Sequence, residues 1–388
     1  MVVRNRIAEM ASEVAEWRRD FHAHPELRFE EHRTAARVAE LLREFGCDEV
    51  IEGFGGTGVV GVIHGSKDSK GRVLGYRADM DALPIIEATG LDHASTNPGK
   101  MHACGHDGHT SMLLGAAKYL CETRGFDGKV VLVFQPAEEG GGGARAMLDA
   151  GLMERWGVQE IYGMHNWPGM AVGEFGVRSG PLLASADKFE ITVRGKGGHG
   201  AMPHQAVDTT LVAAQIVVAL QSIASRNVHP LRNVVVSVCA LHTETETYNV
   251  IPDSVHMMGT VRTYDKEVQA LVQERIGALA QSTAAAYGAE AELNYLGGPP
   301  ALINHEAEAD LAAQVAQEVA GVVHRDFDPS MGGEDFAEML EARPGCYLLI
   351  GNGDSAALHN PKYEFNDEAI PVGVSWYAEM AEKRMPLG

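Results

Sequence analysis

SGPLLASADKFEITVRG, residues 179–195, is where the rhythm of this chain changes. Before it, helical and strand patterns alternate. EEHRTAARVAELLREFG (30–46) reads as an amphipathic helix stopped by Gly46. VVGVIHG (59–65), RVLGYRADMD (72–81), KVVLVFQPAEE (129–139) and EIYGMHN (160–166) read as strands, and HTSMLLGAAKYLCETR (109–124) as a helix. Such alternation predicts an α/β layer with a mostly parallel central sheet flanked by helices. After the break the order differs. Strand 188–195, helix 207–226, strands 233–242 and 254–264, helix 266–288 and strand 289–296 give β-α-β-β-α-β. That is the order of a ferredoxin-like unit. Beyond Leu302 the α/β pattern resumes, with a strand at CYLLIGNG (346–353) and a C-terminal helix from about Asp367. The expected organisation is a discontinuous domain, 1–181 with 297–388, and an inserted α+β domain, 182–296.

Composition narrows the function classes. A chain of 388 residues exceeds what one ordinary core needs. Hydrophobic content of 45% and charged content of 22% are those of a globular protein. A formal net charge of −21 offers no basic surface for nucleic acid or an anionic membrane. Five widely spaced cysteines without a CxxC pair argue against a disulfide framework and for a reducing, cytoplasmic setting. The N-terminal stretch is charged and amphipathic, without the apolar segment of a secretory signal. No uninterrupted apolar run approaches a membrane span.

The chemistry concentrates in MHACGHDGHT (101–110). Cys104 and His106 offer two ligands suited to a borderline cation, with Gly105 easing the backbone between them. Further donors fall at expected strand ends. They are Asp79 and Asp81 in RADMDALP, Glu138 and Glu139 in FQPAEEGGGG, His165 in YGMHNWP and His359 in ALHNP. Ligands of open α/β sheets gather at the carboxyl ends of strands. Glu138 and Glu139, neighbours on an extended segment, point to opposite sides, so one can hold metal while the other faces the substrate as general base. The Gly140–Gly143 run lacks the GK[ST] that would make it a phosphate loop.

RADMDALP, MHACGHDGHT, FQPAEEGGGGA, MHNWP, GGHGAMPH, NVIPD, MGGEDF and LHNP, in this order, resemble the amidohydrolase branch of the aminoacylase and succinyl-diaminopimelate desuccinylase family. Within that branch the chain looks most like bacterial hippurate hydrolases and plant indoleacetyl-amino-acid hydrolases. The resemblance implies hydrolysis of the amide in N-acyl-L-amino acids, with dipeptidase or deacetylase action as the alternative. It implies two divalent ions per chain (zinc, manganese, cobalt or nickel) held by Cys104, His106, Glu139, His165 and His359. It makes Glu138 the general base and Asp81 the residue that orients the site. It makes the inserted domain a lid and a surface for a homodimer or a dimer-based tetramer. His199 would polarise the scissile carbonyl, in several relatives from the partner subunit, and Asn249 and Arg262 would hold the substrate carboxylate.

Two departures stand out: Arg28 where glycine is common and Gly200 where alanine is common, neither expected to touch a ligand. Two further readings compete. A metal-storage protein has no use for a spare carboxylate beside the ions. A redox protein built on Cys104 lacks a resolving cysteine nearby.

Overall fold

Residues 4–388 are described by a computed structural model. Helix α1 (Asn5–Ala23) buries Ile7, Met10, Val14, Trp17 and Phe21, a stripe at alternating spacings of three and four residues. Helix α2 (His32–Phe45) ends where Gly46 takes φ 86°, the left-handed angle glycine allows. Then follow β1 (Glu49–Phe54), β2 (Gly58–His64), β3 (Val73–Asp79), α3 (His106–Thr123), β4 (Lys129–Gln135), β5 (Glu160–Trp167) and the short β6 (Phe175–Gly176). The middle of the chain forms β7 (Asp187–Arg194), α4 (Thr209–Ser222), β8 (Val234–Thr243), β9 (Ser254–Thr263), α5 (Lys266–Ala286) and β10 (Glu290–Leu296). The elements after it include α6 (Glu306–Ala320), β11 (Val323–His324), β12 (Gly345–Gly351) and α7 (Ile370–Arg384).

The chain divides into two compact units. One comprises the residues up to Leu182 with Ile303–Asp328 and Asp335–Gly388, and the other Leu183–Leu302 with Pro329–Glu334. The larger unit is built on an eight-stranded sheet of order β1-β2-β4-β3-β5-β12-β6-β11. The sheet is mixed. Strands β4, β3, β5 and β12 run parallel as a central block, whereas β1–β2, β2–β4 and β12–β6 pair antiparallel. A short turn joins β1 to β2, so those two form a hairpin and need no crossover helix. The block is buried throughout β3 and β12 and along β4 after Lys129, which explains the continuous apolar runs VVLVF and YLLI. Because its four strands are parallel, their carboxyl ends share one edge of the sheet.

The smaller unit is a four-stranded antiparallel sheet of order β8-β9-β7-β10 with α4 and α5. Strand β7 alternates, burying Phe189, Ile191 and Val193. Val212, Ile216 and Leu220 of α4 and Val272, Ile276 and Ala280 of α5 complete that core. Asp208 and Asp265 cap the two helices by accepting backbone N–H bonds from Leu211 (3.1 Å) and Glu267 (2.8 Å). The stretch Thr209–Asn227 has a mean hydropathy of 1.2 and is long and apolar enough to cross a membrane. Here Val212, Ile216 and Leu220 of it face this core, while Leu211 and Val218 are exposed.

A candidate metal centre at the sheet edge

The site assembles at the carboxyl ends of β3, β4, β5 and β12. Helix α3 begins at His106 rather than three residues later, because Gly105 at φ 91° turns the chain directly into it. His106 is therefore a helix-anchored side chain and not a loop residue. Its Nδ1 donates to the Asp81 carbonyl at 2.8 Å, which fixes the ring and leaves Nε2 facing inward with no hydrogen-bond partner.

Strand β4 stops at Gln135, where Pro136 ends the ladder and Ala137 adopts φ 52°. Glu138 and Glu139 thus sit on a turn, not on extended chain, and they do not face opposite ways: both bring a carboxylate oxygen to the His106 group. Pairing them at one place needs a strained left-handed alanine, and two carboxylates hold it. Glu31, fully buried, accepts the Ala137 N–H at Oε1 (2.9 Å) and the Thr57 hydroxyl at Oε2. Asp81 accepts the Glu138 and Glu139 N–H groups at 3.0 Å each, one per oxygen. Arg28 adds a bond from Nη1 to the Glu139 carbonyl at 2.9 Å, so this departure does touch an expected ligand residue.

Cys104, His106 and His165 each offer a ligand atom within 4.8 Å of the other two, as do Cys104, Glu139 and His359, and His106, Glu138 and Glu139. Cys104 Sγ lies 3.4 Å from His165 Nε2, and His359 Nε2 lies 3.1 Å from Glu139 Oε1. His165 donates Nδ1–H to the Asn166 carbonyl at 2.7 Å, which leaves its Nε2 lone pair toward the thiol. His359 stands at φ 63°, pinned by its N–H to the Ala103 carbonyl at 2.8 Å. Burial first, then Glu139 and Glu138, push the Cys104 thiol well above its usual value, and burial lowers His165. A thiol, imidazoles and carboxylates packed around an unpartnered imidazole nitrogen are costly alone and fit divalent cations.

Behind these groups lies a polar layer whose pairings the motifs did not disclose. Asp79 is fully buried and bonds His109 Nδ1 (2.6 Å) and Arg77 Nη1 (2.8 Å), while His109 Nε2 meets Asn166 Oδ1 at 2.7 Å. Arg77 and Gln135 also reach Asp335 of the MGGEDF motif, at 3.1 and 2.7 Å. Asp107 takes His22 Nδ1 at 2.9 Å. Burial opposes a charge on that imidazole, but Asp107 and then Glu87 raise it to about 9. The RADMD motif marked Asp79, but its partners come from other elements. Nothing in HPELRFEE marked Glu31 apart from its acidic neighbours.

The remaining expected residues belong to the smaller unit. His199 is exposed and pairs in register with Val250 on a two-stranded ribbon, and the Gly200 N–H donates to the Asn249 carbonyl at 2.7 Å, so His199 and Asn249 are neighbours. Arg262 is not with them. The ribbon adjoins Ser254 at the start of β9, whereas Arg262 is near its end, about 25 Å along the strand. There Arg262 Nη1 donates to the Val261 carbonyl at 3.0 Å and to Thr260 Oγ1 at 2.5 Å.

The description "Peptidase family M20/M25/M40" matches residues 75–383. The chain is 42% identical to an N-acetylcysteine deacetylase of Bacillus subtilis (strain 168), over 94% of both chains. It is 41% identical to a hippurate hydrolase of Campylobacter jejuni, over 97% of this chain and 98% of that one. Its fold superposes on the crystal structure of the Bacillus subtilis YXEP protein, a dinuclear metal binding peptidase from the M20 family. The TM-score is 0.84 and the identity 37%, with 97% of this chain and 99% of that one covered. The alternating first half, the inserted antiparallel unit, the donor set at the sheet edge and these relatives agree: the chain belongs to peptidase family M20/M25/M40.

Proposed function

We propose that this protein hydrolyses the amide bond of N-acyl-L-amino acids, releasing a carboxylic acid and a free amino acid. The observation that carries the proposal is the doubly capped turn. Asp81 and Glu31 fix three successive N–H groups so that Glu138 and Glu139 meet His106 together and Glu139 also meets Cys104. Cys104, His106, Glu139, His165 and His359 would hold two divalent ions, zinc, manganese, cobalt or nickel. Those ions would supply Lewis acidity and positive charge. Glu138, whose Oε2 is 3.9 Å from His106 Nε2, takes a proton from the attacking water and returns it to the leaving amine nitrogen. Asp81 keeps the turn and the His106 ring in place.

His199 donates to the developing oxyanion, and Asn249 and Arg262 bind the substrate carboxylate. Because Arg262 is remote from His199 and Asn249 within one unit, the roles combine best in a homodimer or a dimer-based tetramer. In such an assembly the smaller unit acts as lid and His199 serves its partner's site. The acidic chain with its free thiols suits the cytoplasm. A second reading, deacetylation of an N-acetylated amino acid by the same chemistry, is favoured by the deacetylase relative.

Metal-replete protein assayed for free amino acid released from hippurate, N-acetylcysteine, N-acetylmethionine, indoleacetyl-alanine and a dipeptide panel tests both readings. Chelator-sensitive release from the acylated substrates is expected. Release only from dipeptides, or none with the ions bound, would overturn the proposal.

A further inference from the structure

Away from the metal centre, two thiols meet. Cys47 follows the Gly46 stop of α2, and Cys121 lies in the last turn of α3, 74 positions later, with the two Sγ atoms 3.6 Å apart. The contact is built. Arg124, the residue capping α3 at φ 48°, donates Nη2 to the Gly46 carbonyl (2.9 Å) and Nη1 to Asp48 Oδ2 (2.7 Å) and the His64 carbonyl (2.8 Å). One guanidinium thereby holds the residues on either side of Cys47 against the end of the helix that carries Cys121. The Cys47 N–H to the Leu42 carbonyl, at 3.1 Å, fixes the turn from its other side. Cys121 is buried and Cys47 half-buried, so a small molecule reaches the pair through Cys47.

We infer that Cys47 and Cys121 form an oxidation site, a dithiol that low-molecular-weight disulfides such as glutathione disulfide convert to an intramolecular disulfide. The Cys47 thiolate attacks one sulfur of the small disulfide. An S–S bond forms to Cys47, the original S–S bond breaks, and one thiolate leaves and takes up the proton Cys47 gave up. The Cys121 thiolate then attacks Cys47 Sγ, expelling the second small thiol, which carries away the Cys121 proton. The protein loses two electrons and two protons, and the small disulfide gains both. Closing the bond requires the sulfurs, now 3.6 Å apart, to approach by about 1.5 Å. In the reduced pair the contact between the thiols lowers Cys121 and raises Cys47; once Cys47 is in the mixed disulfide that contact is gone, and Arg124 remains to favour the Cys121 anion, the species needed for the second step. The other cysteines offer no such partner: Cys104 is in the metal centre, Cys346 is buried, and Cys239 is exposed on the smaller unit.

The test uses full-length, metal-loaded protein, reduced, freed of reductant and incubated with glutathione disulfide, then alkylated and measured by intact mass and peptide mapping. The expected result is a loss of two alkylatable thiols, a peptide joining Cys47 to Cys121, reversal by dithiothreitol, and a rise of a few degrees in Tm. The rise should vanish in Cys47→Ser and persist in Cys239→Ser. Continued alkylation of both residues would overturn the inference. So would a stable glutathione adduct at Cys47 with no cross-link, or a cross-link that survives in Cys47→Ser.

Discussion

Glu31 offers the sharpest test of how the site is held. It is fully buried, yet it is neither an expected ligand nor the proposed base. Glu31→Ala leaves two buried donors, the Ala137 N–H and the Thr57 hydroxyl, without their acceptor. Each hydrogen bond to a charged group is worth about 1.5–3 kcal/mol. Burial also raises the Glu31 pKa, so removing the charge returns part of that loss. The net destabilisation should be about 3 kcal/mol. With Ala137 free to leave its left-handed angle, Glu138 and Glu139 shift. A displacement near 1 Å costs about 100-fold in kcat.

Glu31→Gln keeps an acceptor for Ala137 and turns its amide toward Thr57 oxygen, so it should lose no more than about 1 kcal/mol and keep most activity. The sign with pH also follows. A carboxyl whose folded pKa exceeds its unfolded value binds its proton more tightly when folded. Its contribution is therefore greatest at low pH and is lost as pH rises from the ordinary 4.5 through the raised folded value. The Gln variant lacks that decline. Urea unfolding across pH, with kcat, KM and metal content on an acylated amino acid, measures all of this. A Gln variant as damaged as the Ala variant would refute the hydrogen-bond argument. An unstable Ala variant with normal kcat would refute the link from Glu31 to the catalytic turn.

Glu138→Ala should retain its ions by elemental analysis and lose at least about 100-fold in kcat, because the proton carrier is gone while the other donors remain; near-normal turnover would remove Glu138 from the mechanism. His199→Ala should lower kcat about 100- to 1,000-fold with metal content and Tm unchanged, since the side chain is exposed and supports no core. A monomeric mass in light scattering, alongside that loss, would exclude the partner-subunit role.

The sequence by itself determined the layered plan of this protein and the residue types at its centre. Period-two and period-3.6 patterns are local, so the alternating first half and the β-α-β-β-α-β middle could be read directly. Donors such as Cys104, His106 and His165 announced themselves because a borderline cation accepts few side chains and these were clustered or at strand ends. The hairpin that makes the sheet mixed was less legible, since strand direction depends on pairing partners distant in the chain.

Only the tertiary structure decided how the centre is supported. That Asp81 spans two N–H groups, that Glu31 reaches across to Ala137, and that Arg28 touches Glu139 all depend on backbone angles after Pro136. No periodicity encodes such angles. The meeting of Cys47 with Cys121 and the separation of Arg262 from His199 have the same cause: distance in space is set by how elements pack, and spacing along the chain does not record it.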